Sequence, residues 1–260
     1  MSLVADGVHS FSDLATDLVV LGGMRLASRP PDESHAYGHG KYETLAGATV
    51  ALALFGVGVW LVWEAVVALL RGGGGAPAPA VVVVAGISIL TKEWMFRITR
   101  RVAHRVRSPA LEANAWHHRS DALSSVAVLC GGGAMALGFP QGDQAAAIAV
   151  GGLVMWAAMR ILRQALYDLT EGAFAKGERT RVVQAIEGVE GVEGWHRLQT
   201  RYSGRNAIVD VHIQVDPAIS VRDSHRVASL VEAAIRATLG GQVSVTVHVE
   251  PRGDEEPEIS

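Results

Sequence analysis

Histidine and aspartate recur four residues apart at two places inside apolar sequence: His9 with Asp13, and His117 with Asp121. A spacing of four stacks two side chains on one helical face. Two such pairs on facing helices supply four nitrogen and oxygen ligands, the number a tetrahedral Zn²⁺ site takes. His118 adjoins His117 but falls on a neighbouring face and is read as a non-ligand. Asp6 and Asp17 flank the first pair and are equally at home as caps or interfacial residues. An ionised group at membrane depth is costly, so it faces a bundle interior or a wet cavity. Structural polar packing is the plainer alternative to a metal site.

A third cluster, Asp32-Glu-Ser-His35-Ala-Tyr-Gly-His39-Gly-Lys41, offers Asp32, His35 and His39 to one ion, with Gly38 and Gly40 leaving the backbone room to turn; a solvated loop fits the same residues. Toward the C-terminus His196, His212, His225 and His248 each fall in or beside a predicted regular element, a spacing that scattered surface histidines match equally well. Cys130 is the one cysteine, which excludes an intrachain disulfide and a thiolate zinc knuckle, so any metal is left to His, Asp and Glu. There is no His-Glu-x-x-His, and Gly72 to Gly75 lack the Lys-Ser/Thr of a phosphate loop. An enzyme is not expected.

The elements that must position these residues follow from composition. Of 260 residues 49% are hydrophobic and 19% charged, and mean hydropathy is +0.24. Such a chain sits in a lipid bilayer. Five apolar stretches, about 3–24, 43–70, 79–99, 111–138 and 143–170, are long enough to span it. Arg-Pro-Pro-Asp, a Gly/Ala/Pro run, Ser-Pro and Gly-Phe-Pro-Gln-Gly separate them. The first loop holds Arg25, Arg29 and Lys41, and the third holds Arg97, Arg100, Arg101, Arg105 and Arg107; the second has only Arg71 and the fourth no Lys or Arg. Loops one and three are therefore expected in the cytoplasm. This places the C-terminal region inside and Met1 outside, an odd start that reads as a missing first helix. A net charge of -3 leaves no basic patch for nucleic acid.

From about Lys176 the pattern is that of a soluble domain. It predicts a helix over Glu178 to Glu187, strands over Gly194 to Tyr202 and Ala207 to Val215, a helix over Val221 to Leu239, and a third strand over Val243 to Val249. Val227, Leu230, Val231, Ala234 and Ile235 are expected on one face of the second helix. The fold class is thus an all-α membrane bundle over 1–172, followed by a cytoplasmic αββαβ domain over 173–251 and a disordered tail over 252–260.

Taken in order, these residues resemble the cation diffusion facilitator family. Ala5-Asp6-Gly-Val-His9-Ser-Phe-Ser-Asp13 is similar to its second transmembrane helix, Arg29-Pro-Pro-Asp32-Glu-Ser-His35-Ala-Tyr-Gly-His39-Gly-Lys41-Tyr-Glu43 to its cytoplasmic loop, and Ala115-Trp-His117-His-Arg-Ser-Asp121-Ala to its fifth helix. Val209-Asp-Val-His212 and Asp223-Ser-His225 fit its metallochaperone-like, ferredoxin-like domain. The resemblance implies a homodimeric exporter, in the cell membrane (the inner one if Gram-negative), exchanging a divalent metal for protons by alternating access. It implies a transport site of His9, Asp13, His117 and Asp121, a loop site of Asp32, His35 and His39, and a cytoplasmic regulatory site of His196, His212, His225, His248 and Glu250. Glu250 stands where some members carry Asp. Lys41 and Asp168 fall where members form a charge interlock between protomers. The ligand set resembles zinc-selective members, with Cd²⁺, Co²⁺, Fe²⁺ and Mn²⁺ as alternative substrates. Six spans are usual in the family, and the expectation here is a chain lacking the first. The rival readings are a membrane metal sensor or scaffold that does not transport, and a truncated, inactive transporter.

Overall fold

The computed structural model describes residues 16–71, 79–136 and 141–253. The chain divides into two compact units, Met1–Tyr167 and Asp168–Ser260. The first contains α1, described over 16–27, α2 (Lys41–Arg71), α3 (Pro79–Val106), α4 (Pro109–Ala136) and most of α5 (Gly142–Leu169). The expected stretch 3–24 lies outside the described residues up to 15, as do the loop 72–78 and the terminus 254–260.

Apolar length sets α2 and α5. Among the described residues, Lys41–Arg71 and Gln144–Leu169 are long and apolar enough to cross a membrane, their apolar 18-residue stretches having mean hydropathies of 2.2 and 1.9. Trp60, Trp63 and Trp156 stand on their outer surfaces, where a water-soluble helix would carry polar side chains. α3 outruns its expected apolar stretch because Arg100, Arg101 and Ala103 are good helix formers and nothing breaks the chain before Ser108-Pro109. His104 and Arg105 in its last turn suit the negative end of the helix dipole. Arg107 then takes φ +52°, and α4 restarts with Pro109 at its first position. Ser108 caps it: its hydroxyl accepts from Leu111 N–H at 3.2 Å and its carbonyl from Glu112 N–H at 3.1 Å.

α4 packs against both α3 and α2. The contacts are made by small residues, as membrane helices without a hydrophobic drive between them require. Ala110, Ala113 and Ala115 are fully buried, and a Cβ on Gly47 would stand 3.0 Å from the Pro109 carbonyl. α2 meets α5 the same way, for a Cβ on Gly58 would lie 3.1 Å from Gly151 O.

The second unit runs α6 (Lys176–Glu187), β1 (Gly194–Ser203), β2 (Asn206–Val215), α7 (Val221–Leu239), β3 (Val243–Pro251), the expected αββαβ order. β1 and β2 form an antiparallel hairpin whose turn uses Gly204 at φ +60°, and β3 returns parallel to β2 after the α7 crossover. Ser220 caps α7 by accepting from Asp223 N–H at 3.1 Å while its hydroxyl donates to Asp223 Oδ2 at 2.6 Å. The buried stripe of α7 is Ala228, Val231, Ile235 and Leu239. Leu230, expected inside, is exposed, because it lies a third of a turn from Val231 and leaves the stripe. This stripe, Val182 and Ile186 of α6, and Val209, Val211, Ile213 and Val215 of β2 make one core on one face of the sheet.

Candidate metal centres

In the loop between α1 and α2, Asp32 organises its own surroundings. Its Oδ1 accepts from Ser34 N–H at 3.0 Å, Ser34 Oγ at 2.8 Å and His35 N–H at 2.7 Å, a turn that Asp forms readily. Ser34's hydroxyl, then the His35 amide, hold the Asp32 carboxyl below its ordinary range. Gly38 at φ +81° folds the chain back so that His39 Nε2 comes 3.3 Å from Asp32 Oδ2. The His35 and His39 rings lie 4.5 Å apart, and Asp32, His35 and His39 each offer a ligand atom within 4.8 Å of the others. His39 is buried, and among the described residues its Nδ1 has no hydrogen-bond partner.

On the sheet, the face opposite the helices carries the second centre. His196, His212 and His248 stand in one row across β1, β2 and β3, since His196 pairs with His212 and His212 with His248. Glu250, two residues beyond His248 on the same face, reaches back along the row. Its Oε2 lies 2.6 Å from His196 Nε2 and its Oε1 2.6 Å from His212 Nδ1, with His248 Nε2 at 3.5 Å. Burial, the largest single influence, opposes ionisation of Glu250, but the bonds from His212 and His196 together outweigh it and leave the carboxyl below its ordinary range. His196, His212 and Glu250 bring three ligand atoms within 4.8 Å. His225 is not in this row: it lies on α7 and lines a hollow with Val247, Val249 and Glu250.

The row exists because of an irregularity. Gln199 pairs with Asp210, so an unbroken ladder would set Arg197 opposite His212 and turn His196 toward the core. Instead the register shifts between His196 and Gln199, with Arg197 at φ +49°. This bulge inserts one residue and flips His196 onto the open face.

The third centre is on α4. His117 is buried, and Asp121 one turn later is almost so, its carboxylate 9% exposed. Lys92 of α3 places Nζ 2.9 Å from Asp121 Oδ2. The His118 ring is centred 6.0 Å from that of His117. His9 and Asp13 lie outside the described residues, as does Asp6. Lys41 is the first residue of α2 and Asp168 lies in the last turn of α5.

A cation efflux transmembrane domain matches residues 1–170, and a cation efflux protein cytoplasmic domain matches 175–252. The chain belongs to the cation diffusion facilitator family. As members are, it is membrane-embedded and carries a cytoplasmic domain. This facilitator is 34% identical to magnetosome protein MamB of Magnetospira sp. (strain QH-2) over 96% of its own chain and 85% of that protein. It is 31% identical to cation-efflux pump FieF of Serratia proteamaculans, over 96% and 83%. Metal tolerance protein C1 of Arabidopsis thaliana is 34% identical, and there the chain spans 96% of itself but 56% of the relative. Among solved structures, a nickel form of a MamM CTD variant is 32% identical over 30% of this chain and 99% of that one, with a TM-score of 0.29.

Two features of this facilitator escape the sequence reading. Lys92 is an ionisable residue inside an apolar stretch, a signal of a functional site on its own account, yet it passes as one charge in a long span. Glu43 is buried and accepts a hydrogen bond from Ser108 Oγ, tying the start of α2 to the α3–α4 turn; only the fold brings those two together.

Proposed function

We propose that this chain exports a divalent metal ion, zinc by its ligand set, in exchange for protons as a homodimer. The carrying observation is the His117/Asp121 pair on α4, buried beside a cation that already balances the carboxylate. In this reading His9 and Asp13 complete a four-ligand site with His117 and Asp121. Zinc takes a deprotonated carboxylate and a neutral imidazole, so metal and protons compete for the same atoms and a proton gradient drives release. Asp32, His35 and His39 form a second site in the loop. His196, His212, His248 and Glu250, joined by His225, form a regulatory site in a cytoplasmic domain of about 173–251, and Lys41 with Asp168 forms the interlock. Two imidazoles favour zinc over Mn²⁺, while Cd²⁺, Co²⁺ and Fe²⁺ suit the same ligands less distinctly.

The test is zinc flux in sealed proteoliposomes under an imposed pH gradient, comparing the chain with Asp121→Ala. Proton-coupled flux that the variant lacks supports the antiporter; equal flux in both removes Asp121 from the site. A second reading, a membrane metal sensor, is favoured by the sheet cluster, whose three ligand atoms lie within 4.8 Å of one another in the cytoplasmic domain. It predicts metal binding by the cytoplasmic domain with no flux in either chain.

A further inference from the structure

A cavity of about 380 Å³ opens between α2, α3, α4 and α5 at the end of the bundle that carries the arginine-rich turn, the end the loop charges assign to the cytoplasm. It is within the range of small-ligand sites, roughly 300–1,000 Å³. Among the described residues, none of the proposed metal ligands lines it.

Its chemistry is that of an anion site. Arg100, Arg107 and Arg160 line it, together with His104. Among the described residues Glu112 is the one carboxylate on the wall, with Oε2 3.6 Å from His104 Nε2. Three guanidiniums thus face one carboxylate. Among the described residues neither Arg100 nor Arg160 has an acidic partner within 4.0 Å. Ser108 and Pro109 add the positive end of the α4 dipole. Arg107 holds a left-handed φ of +52°, a conformation glycine would take without strain, so a large charged residue sits where backbone sterics disfavour it.

The rest of the wall is apolar: Trp116 of α4 and Ala157, Ile161 and Ala165 of α5. A hydrated inorganic anion gains nothing from such a surface, whereas an anion bearing a hydrocarbon chain does. Arg160 and Gln164 also line an adjoining hollow with Arg163, flanked by exposed Trp156 and Tyr167. Aromatic and basic residues in this arrangement mark the headgroup level of a bilayer, and basic recesses between helices on the cytoplasmic side suit anionic headgroups.

We propose that this cavity binds an anionic phospholipid, its phosphate held by Arg100, Arg107 and Arg160 and its first acyl carbons laid along Trp116 and Ile161. The inference rests on the chain lying in a membrane and is independent of which metal it carries.

The full chain, purified in neutral detergent, is offered dioleoyl-phosphatidylglycerol or dioleoyl-phosphatidylcholine, and retained lipid is counted by native mass spectrometry. Phosphatidylglycerol should be retained preferentially, and the preference should fall roughly 10- to 30-fold in Arg100→Gln/Arg160→Gln, the effect of two charges removed from an anionic headgroup. Arg107→Gly should lower the preference while keeping or raising the thermal midpoint, which separates loss of binding from loss of fold. Equal retention of both lipids, or an unchanged preference in all variants, overturns the proposal. Full displacement of the lipid by inorganic phosphate overturns it too, in favour of a free-anion site.

Discussion

The ammonium of Lys92 lies 2.9 Å from Asp121 Oδ2, so the carboxylate proposed to carry the metal already has a cation. The pair is largely shielded, Lys92 being 25% and Asp121 9% exposed. If Asp121 carries the metal as proposed, an incoming ion competes with that ammonium for Oδ2.

Lys92→Met should therefore destabilise the metal-free chain, by about 1–3 kcal/mol, less than the roughly 3–5 seen when a fully buried pair is broken, since Lys92 is partly exposed. Added Zn²⁺ should restore the thermal midpoint of the variant by more than it raises that of the parent. The extra response should vanish in Lys92→Met/Asp121→Asn; its persistence there would detach Lys92 from the metal.

Glu250 gives the cytoplasmic domain a pH dependence of definite sign. Its folded carboxyl titrates below the ordinary 4.5, so its contribution is present above that value and lost as pH falls through the lowered one. Glu250→Gln should cost the metal-free domain about 1 kcal/mol at neutral pH, and the difference from the parent should disappear in acid. Denaturant titrations of residues 173–253 at both pH values measure it. That fragment should fold alone, because its core is drawn from α6, α7 and the sheet.

The bulge in β1 makes an unusual deletion tolerable. Removing Arg197 closes the ladder with His196 still opposite His212, and it also removes the residue held at φ +49°. Calorimetric metal affinity of the shortened domain should stay within about twofold (about 0.4 kcal/mol), while His196→Ala should lose about tenfold or more, as ligand loss does.

At the crossing of α2 and α5, a Cβ on Gly151 would stand 2.6 Å from Val62 Cγ2, whereas Gly152 has nothing within 4 Å. Gly151→Ala should cost about 1–3 kcal/mol by overpacking, and Gly152→Ala should be neutral or slightly stabilising as a better helix former. Thermal unfolding of the full chain in detergent separates the two.

Much of this was readable in the residues. Long apolar runs closed by Pro and Gly gave α2 to α5 to within a few residues, except where arginines carried α3 past its apolar stretch. The αββαβ order followed from period-two and period-3.6 patterns. Asp32, His35 and His39 converge because their spacing is local, and the members of the sheet row were named together by the family motifs; ligand atoms of Asp32, His35 and His39, and of His196, His212 and Glu250, lie within 4.8 Å of one another. What spacing could not give was parity. A strand pattern says which residues alternate, and the bulge reverses that alternation at His196. Its trace is faint: Trp195 and Leu198, both packed on the core, are three apart where an even number is expected. Nor does a helix pattern say where a helical side chain meets the sheet, which is why His225 reads as one of the row in sequence and in the fold meets it only across a hollow that Glu250 also lines. Lys92 with Asp121, and Glu43 with Ser108, are long-range pairs with no local signature.

The members of the sheet row are also synthesised in a fixed order, His196 and His212 before His248 and Glu250. His196 and His212 meet as soon as a hairpin with a tight turn closes, an event of roughly 1–10 μs. His248 and Glu250 join only when β3 returns parallel past α7, a crossover whose non-local contacts form late. During synthesis the two imidazoles are therefore available to passing ions before the carboxylate that bridges them has been made. Completion of the crossover adds the negative charge of Glu250, so if the row holds an ion as proposed, its full ligand set exists only in a chain that has finished folding.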